Sequence, residues 1–192
     1  MTIPSPISNP AVLNSAKHSK HNLPMSYCPD CGTALVERPL PGEGLVPWCP
    51  RCEAWHFPLY NVAVSMLVVR ETDGRILLVK QYGRPSYILV AGYVNRGEAL
   101  EHAVAREVLE ETGMTVSRLC YNRSQFFAPS NTLMCNFTAW VSDADDYAPN
   151  EEIDEGCWFT PDEARAHIRS GSLAQHFLNA ALDAGLGNAP AD

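Results

Sequence analysis

Three glutamates on one short segment are the first candidates for chemistry in this 192-residue chain. They are Glu107, Glu110 and Glu111, and the apolar residues around them recur at intervals of three and four, which predicts a helix. These spacings put the three side chains on one helix face, with Cβ atoms about 5–6 Å apart. Unit negative charges at that distance repel by roughly 3 kcal/mol at an effective dielectric constant near 20. Bound Mg²⁺ would relieve the repulsion, and the alternative is a solvated acidic face.

Four cysteines make a second chemical cluster. They form two CxxC pairs, Cys28 with Cys31 and Cys49 with Cys52, separated by 17 residues. Four thiolates at this spacing can close a tetrahedral Zn²⁺ site of the structural kind, which leaves no open coordination position. A segment with few large apolar residues gains about 10–16 kcal/mol from such binding, which replaces a hydrophobic core. A disulfide pair and a thioredoxin-like redox motif are the alternatives.

The remaining cysteines and one histidine are expected to be structural. The chain has seven cysteines, an odd count that argues against a full disulfide framework. Cys120, Cys135 and Cys157 stand singly in apolar runs and are predicted to be small buried side chains. His56 lies four residues after Cys52. Because four cysteines already fill the zinc site, we expect His56 to be packed or hydrogen-bonded.

The acidic helix needs a sheet to pack on, and the hydrophobic pattern predicts one. Two further helices are predicted, one from Thr160 and one from Ser172 to about residue 184. Strands that enclose a helix, with hairpins and outer helices, indicate a mixed α/β sandwich rather than a purely parallel fold. The predicted strands are 62–69, 76–80, 87–94, 115–121, 133–141 and 153–159.

Local signals mark where the helices begin and end. Glu98 and Glu101 are expected in the first turn of the acidic helix, where negative charge complements the helix dipole. Gly113 is expected to end that helix in a left-handed conformation. Thr160 and Glu163 have the spacing of a capping box, which predicts the start of a later helix.

Composition and charge limit the organisation and the partners. We predict a flexible tail over 1–24, a zinc ribbon over 25–58, a catalytic domain over 59–186 and a flexible tail over 187–192. The sequence has no apolar segment of the signal-peptide or membrane-spanning kind, so a cytoplasmic location and no membrane partner are expected. The net charge of −8, from 14 basic and 22 acidic residues, argues against extended nucleic-acid binding.

The acidic helix and the loop before it resemble the signature of a known family. The spacing is similar to the Nudix box, GX5EX7REUXEEXGU, of the Nudix hydrolases. The resemblance implies an α+β fold, the Nudix α/β/α sandwich with a mixed sheet, here preceded by a small four-cysteine zinc ribbon. It also implies a hydrolase of diphosphate linkages. The matching residues are Gly92, Glu98, Arg106, Glu107, Val108, Glu110, Glu111, Gly113 and Met114.

The resemblance also implies roles for the charged residues of the box. Glu107 and Glu111 are expected to be the main ligands of catalytic Mg²⁺ or Mn²⁺. Glu110 is expected to be a further ligand or to assist in deprotonating the attacking water. Arg106 is expected to hold the glutamates in place by ion pairing, and Glu98 to support the loop.

Further oxygen donors are implied outside the helix. The carbonyl of Ala91 or of Gly92 is expected to complete the coordination, and Glu152, before Ile153, matches a glutamate that relatives carry beyond the box. Cations held there would bridge diphosphate oxygens and lower the pKa of a bound water.

A zinc ribbon ahead of a Nudix domain resembles the NADH pyrophosphatase subgroup. Those enzymes carry SQPWPFPxS after the box, and this chain keeps Ser124 and Gln125 but has Phe126 and Phe127 at the centre. The two phenylalanines are expected either to stack a base or nicotinamide ring or to pack in the core. The resemblance covers about 27–182, and it does not extend to the large N-terminal domain of the longer enzymes.

Several functions and partners stay open at this point. The expected substrate is a nucleotide-containing small molecule, NADH or NAD⁺, cut to a mononucleotide plus AMP, and the alternative is ADP-ribose or another nucleoside diphosphate derivative. A nucleotide-binding regulator with this fold and a zinc-ribbon interaction module are the non-enzyme alternatives. A homodimer is carried over from the relatives.

Overall fold

The computed structural model describes residues 25–142 and 146–185, which fall into two compact units. One unit comprises the described part of Met1–Leu59 together with Ala128–Asn131, and the other comprises Tyr60–Phe127 and the described part of Thr132–Asp192. The two predicted tails, 1–24 and 187–192, lie outside the described residues. In the described part of the chain, no helix has the length and apolar character needed to cross a bilayer.

The first unit is built on a small antiparallel sheet. Its strands are β1 (Val36–Leu40), β2 (Gly44–Cys49) and β3 (Ala54–Trp55), in that order. Among the described residues of this unit, the buried apolar side chains are those of Cys28, Val46 and Cys49. So small a core cannot offset the entropy of ordering the segment, and two of its three members are cysteines.

The second unit is a mixed sheet with three helices. Its central strand β4 pairs in parallel with β8 and antiparallel with β5 and β6, and the five-strand path runs β7-β8-β4-β5-β9. A short 3₁₀ turn, Ala128–Ser130, follows β7. In chain order the elements are β4 (Asn61–Arg70), β5 (Ile76–Gln81), β6 (Val90–Tyr93), α1 (Leu100–Thr112), β7 (Val116–Phe127), β8 (Thr132–Val141), β9 (Ile153–Phe159), α2 (Pro161–His167) and α3 (Leu173–Asp183).

Both faces of the sheet are covered, because β4 is apolar on both sides. Met66 and Val68 belong to the core that includes Val104 and Val108 of α1. Leu67 and Val69, which alternate with them, belong to a second core, formed with Phe177, Leu178 and Ala181 of α3. The fold is therefore the α/β/α sandwich that the sequence predicted.

Element boundaries differ most from the prediction in three places, one of which is β7 (Val116–Phe127), which continues six residues beyond the end predicted at 121. The strand predicted at 87–94 is shorter, because Tyr87 and Ile88 make only isolated bridges, to Ile168 and Val79, before β6 begins. Glu98 lies outside α1 rather than in its first turn, since the helix begins at Leu100 and its N-cap is Ala99. Glu98 instead accepts the backbone N–H of Asn95 at 2.8 Å.

Other local predictions are confirmed. Gly113 ends α1 with φ of 74°, and Thr160 and Glu163 form the capping box of α2. Of the three single cysteines, Cys135 is buried as predicted, whereas Cys120 and Cys157 are partly exposed.

Candidate active site

The buried face of α1 carries the two central carboxylates. Ala103 and Val104 pack into the core below the sheet, and Glu107 lies one turn further along the same face. Glu111 follows after another turn, and only 3% of it is exposed. The apolar contact of the helix therefore fixes both carboxylates against the sheet.

Gly92 on β6 makes room for the first of them. A Cβ atom at position 92 would lie 1.9 Å from the carboxyl carbon of Glu107 and 2.2 Å from each of its oxygens. No side chain fits in that space, so the requirement for glycine is one of close approach rather than of backbone conformation. The Glu107 carboxylate rests directly on the strand.

Arg106 connects the loop before the helix with the helix itself. Its guanidinium donates to both oxygens of Glu98, at 2.7 and 2.9 Å, and to the carbonyl of Tyr93 at 3.0 Å. It also donates to Glu107 at 2.7 Å and to Glu110 at 3.0 Å. These bonds lower the pKa of Glu98 to about 2, with the Asn95 N–H as the second cause.

The surroundings of Glu111 disfavour the ionised form of its carboxyl group. Gln81 at the end of β5 donates to it at 2.7 Å. Burial, followed by the negative charges of Glu107 and Glu152, nevertheless raises its pKa to about 8. Burial also raises the pKa of Glu107, against the opposing effect of Arg106. Without a cation, the site therefore favours a proton on Glu111 at neutral pH.

Glu152 approaches from the turn before β9. The hydroxyl of Tyr82 donates to its carboxylate at 2.6 Å, and this bond raises the pKa of Tyr82 to about 12. The backbone N–H of Glu152 donates to the side chain of Asn150 at 2.9 Å. A carboxylate that lies 41 residues beyond Glu111 in the sequence is thus held at the same site.

These groups meet in one cleft of about 540 Å³. Six of the residues predicted for the site line it: Ala91, Gly92, Arg106, Glu107, Glu111 and Glu152. Sequence reasoning missed six others: Ala63, Gln81, Tyr82, Tyr93, Asn95 and Met134. Alternation along β5 could have found Gln81, because it follows Leu77 and Val79 on the strand side that faces α1.

Other predicted residues lie outside the lining of this cleft. Glu98 pairs with the Arg106 guanidinium. Glu110, whose side chain is 56% exposed, pairs with the same Nη1 atom of Arg106 as Glu107 does. Ser124, Gln125, Phe126 and Phe127 are exposed on β7, where the ring of Phe126 meets that of Tyr60 edge to face at 6.2 Å. The two phenylalanines therefore do not pack in the core, and their contact with a substrate stays a prediction.

The donor set fits a hard divalent cation. Three carboxylates and backbone carbonyl groups are the ligands that Mg²⁺ and Mn²⁺ prefer. Burial is the largest cause of the upward pKa shifts of Glu107 and Glu111, and neighbouring carboxylates add to it. A bound cation would stabilise the ionised form of both groups.

The four paired cysteines also converge. Their sulfur atoms all lie within 4.8 Å of one another, with Cys28 and Cys52 at 3.9 Å and Cys31 and Cys49 at 3.5 Å. Tetrahedral Zn–S bonds of about 2.3 Å place neighbouring sulfurs roughly 3.8 Å apart. The cluster therefore has the dimensions of a zinc site.

Groups around the sulfurs support metal binding by thiolates. The hydroxyl and backbone N–H of Thr33 lower the pKa of Cys31 to about 6, and the backbone N–H of Cys52 donates to Cys49 at 3.3 Å. His56 Nε2 lies 3.4 Å from Cys28 Sγ, a hydrogen-bonding contact.

Comparison with a family profile shows to which family this chain belongs. The profile of the NUDIX domain matches residues 59–178, well over half of the chain. This chain belongs to the Nudix hydrolase family. The match spans β6, α1 and the turn that holds Glu152, so the cleft lies within the part of the chain that defines this Nudix domain.

Curated relatives extend the similarity beyond the Nudix domain. The NAD-capped RNA hydrolase NudC of Stutzerimonas stutzeri is 30% identical over 161 residues, which cover 84% of this chain and 57% of that protein. The NudC of Chromobacterium violaceum is 33% identical over 158 residues, which cover 82% of this chain and 58% of that protein. The chain thus spans less than three-fifths of the length of these relatives.

A solved structure agrees with the fold. The crystal structure of a Nudix hydrolase from Nitrosomonas europaea superposes with a TM-score of 0.63 at 24% sequence identity, covering 87% of this chain and 96% of that one. A likeness at this identity shows the fold alone.

Proposed function

We propose that this chain hydrolyses the diphosphate linkage of a nucleoside diphosphate derivative with the help of Mg²⁺ or Mn²⁺. The single observation that carries the proposal is that Glu107, Glu111 and Glu152 line one cleft. The lack of a side chain at Gly92 leaves the space that the Glu107 carboxylate occupies. A cluster of three carboxylates that outnumbers the basic side chains around it is the usual means of binding divalent ions next to a diphosphate.

We assign metal binding and positioning to different residues of the cleft. Glu107, Glu111, Glu152 and the carbonyl of Ala91 would hold the cation, which when bound neutralises phosphate charge and makes a water nucleophilic. Arg106 keeps Glu107 from turning away, because its guanidinium is anchored on Glu98 and on the Tyr93 carbonyl.

Proton transfer has its own candidates in the cleft. Glu111 would take a proton from the attacking water only in a state in which its carboxylate does not ligate the cation, because its raised pKa belongs to the metal-free site. Glu110 pairs with Arg106 and is not among the residues that line the cleft, so direct ligation by Glu110 is the less supported part of the predicted set.

NADH or NAD⁺, cut to a mononucleotide plus AMP, is the substrate we propose. Support comes from the names of the relatives, which refer to NAD, and from Ser124 and Gln125 after the box. Tyr93, exposed at the cleft, offers an aromatic face for a base or nicotinamide ring. ADP-ribose remains the alternative among small molecules, and the relatives' names make an NAD-capped RNA a second candidate.

Zinc is proposed as the structural ion of the first unit. The support is that four sulfur atoms cluster in a unit whose described residues include few other buried apolar side chains. A closed four-thiolate site holds the fold and takes no part in hydrolysis.

Substitution of Glu111 tests the enzyme assignment. Glu111→Gln keeps the shape and the Gln81 contact but removes the charge, so we expect turnover of NADH with Mg²⁺ to fall by about 100-fold or more. Glu101→Gln is the matched control, since Glu101 is exposed on the same helix. Near-normal turnover by Glu111→Gln, or turnover by the unaltered chain that is indifferent to Mg²⁺, would overturn the proposal.

A substrate panel separates the candidates. NADH, NAD⁺, ADP-ribose and a short NAD-capped RNA are compared by kcat/KM, and the products are identified by mass. Release of AMP plus a nicotinamide mononucleotide supports the proposed bond. Tight nucleotide binding without cleavage of any of them would favour the regulator.

A further inference from the structure

A second pocket adjoins the cleft along a shared wall. It measures about 510 Å³, and Gln81 and Tyr82 line both spaces. The same two side chains bond to the carboxylates of the cleft, Gln81 to Glu111 and Tyr82 to Glu152. The remaining lining residues are Arg84, Pro85, Ser86, Ile88 and Arg169.

The fold brings the two arginines together from distant parts of the chain. Arg84 follows a tight turn in which Tyr82 and Gly83 both have positive φ, and its N–H donates to the Gln81 carbonyl at 3.1 Å. Arg169 follows α2, and its N–H donates to the Tyr87 carbonyl at 2.9 Å. Backbone bonds thus hold both residues at one rim.

Neither guanidinium is neutralised by the part of the chain that the structure describes. There the side chains of Arg84 and Arg169 have no ion pair, hydrogen bond or ring contact, whereas Arg70, Arg106 and Arg165 are all paired. The chain has an excess of eight acidic residues, so acidic partners are not scarce.

Two carboxylates that contact residues beside the pocket have other partners. Asp154 accepts the Gly83 N–H at 2.7 Å, and Glu155 accepts from Lys80 at 2.7 Å and from the hydroxyl of Tyr87. The described lining of the pocket contains no acidic side chain. Two positive charges at one concave surface thus lack an acidic partner among the described lining residues, and phosphate is an anion that guanidinium groups bind well.

We propose that this pocket binds a phosphate group of the substrate other than the two phosphates of the scissile diphosphate. The inference rests on the proposed function and narrows its substrate class to nucleotides that carry an additional phosphate. A diphosphate in the cleft would lie on one side of Gln81 and Tyr82, and the additional phosphate would lie on the other side, between Arg84 and Arg169. The phosphate can come from a 2′-phosphomonoester or from the phosphodiester chain of a capped RNA.

Equilibrium binding tests the pocket without requiring catalysis. Titration calorimetry without added divalent ion compares ADP-ribose with ADP-ribose 2′-phosphate, and NAD⁺ with a short NAD-capped RNA. We expect roughly tenfold tighter binding of the phosphate-bearing member in at least one pair. The gain should shrink as salt is raised. The pair that shows the gain identifies the source of the phosphate.

Substitution of the two arginines tests whether this pocket causes the gain in affinity for the phosphate-bearing ligand. In the double variant Arg84→Ala/Arg169→Ala, the gain should disappear, while binding of the phosphate-lacking member changes less than about twofold. Arg123→Ala, which removes another exposed arginine of the same unit that has no partner among the described residues, should keep the gain. Equal binding within both pairs by the unaltered chain, or a gain that survives in the double variant, would overturn the inference.

The two proposals can fail separately. Hydrolysis of NAD⁺ with Mg²⁺, measured on the same preparations, reports on the enzyme assignment, whereas the ratio of binding constants reports on the pocket. A chain that shows no hydrolysis but retains the arginine-dependent gain would refute only the first.

Discussion

At the scale of single residues, the main property of the cleft is that it holds carboxylates in a buried place, where their ionised forms are disfavoured. Glu111 is almost fully buried and Glu107 lies beside it, while Arg106 compensates mainly Glu98 and Glu107. Burial, with the negative charges of Glu107 and Glu152 as the next causes, raises the pKa of Glu111 to about 8. These charges make the site receptive to a cation, because ligation relieves the repulsion that protonation otherwise relieves.

This raised pKa predicts a pH dependence of metal binding. The ordinary pKa of glutamate is 4.5 and that of Glu111 is about 8, so a cation must displace a proton below pH 8. We expect the affinity for Mn²⁺ to rise by up to about tenfold per pH unit between pH 6 and 8 and to level off above. Calorimetry in buffers of different ionisation enthalpy measures the released proton, and Glu111→Gln should abolish the release.

The stability of the metal-free protein should change in the opposite direction. Because the folded-state pKa of Glu111 is raised, the folded chain binds more protons than the unfolded chain between pH 4.5 and about 8. The contribution of this group is therefore complete below pH 4.5 and is lost as pH rises through 8. A pH series of denaturant unfolding, on the unaltered chain and on Glu111→Gln, measures the difference.

Close approach at Gly92 gives another residue-scale prediction. In Gly92→Ala the new Cβ would overlap the Glu107 carboxyl group, so Glu107 must move away from the strand. We expect kcat/KM to fall by about 100-fold, since displacements of about 1 Å in a catalytic group have effects of that size. Kinetics with the preferred dinucleotide and thermal unfolding measure both consequences. Activity near normal would mean that the position of Glu107 is unimportant.

At the scale of elements, the site depends on one helix being tied to the loop that precedes it. Arg106 makes this connection, since it bonds to Glu98 and the Tyr93 carbonyl before the helix and to Glu107 and Glu110 within it. The planar guanidinium meets all four groups, which a lysine ammonium cannot do.

Arg106→Lys should therefore loosen the loop without removing positive charge. We expect the pKa of Glu98 to rise from about 2, and kcat/KM to fall by roughly tenfold or more, as expected for the loss of charge-assisted hydrogen bonds. NMR titration of the Glu98 carboxyl and steady-state kinetics provide the measurements. Arg118→Lys, at a residue that stacks on Trp140, is the control and should leave the pKa of Glu98 unchanged.

At the scale of the whole molecule, the two units depend on different forces. The second unit has two apolar cores, one on each face of its sheet. The described part of the first unit buries few apolar side chains but gathers four sulfurs. Hydrophobic burial stabilises the second, and we propose that metal binding stabilises the first.

Removal of zinc should therefore affect one unit selectively. We expect one zinc per chain by elemental analysis and none in Cys31→Ser/Cys49→Ser. Trp48 and Trp55 stack edge to face at 4.8 Å in the first unit, so the near-ultraviolet circular dichroism of this pair should be lost when the metal is chelated. Signals from Trp140 and Trp158 in the second unit should persist. A variant without zinc that retained the pair signal would contradict a structural role.

Much of the fold and of the site could be predicted from the sequence. The spacing of apolar residues was enough for the existence of the six strands of the second unit, though not for the bounds of β6 and β7. It was also enough for α1 and for Gly113 as its end, because these patterns reflect local geometry. The spacing of the glutamates and cysteines was enough to name most of the charged groups that meet. Glu98 was placed wrongly in the helix, because its interaction with Arg106, eight residues away, outweighed the helix-dipole preference.

The sequence by itself determined which groups are available for chemistry: acidic residues at helical spacing, of the kind that suits hard cations, and paired cysteines, of the kind that suits zinc. Only the tertiary structure decided which groups share the cleft, because strand pairing and turns bring Gln81, Tyr82 and Glu152 to Glu111 across distances that no local pattern encodes. It likewise left Glu110, whose side chain is 56% exposed, and strand β7 outside the lining of the cleft. The physical reason is that side-chain type and spacing fix local conformation and ligand preference, whereas proximity between distant segments is set by how the sheet and helices pack.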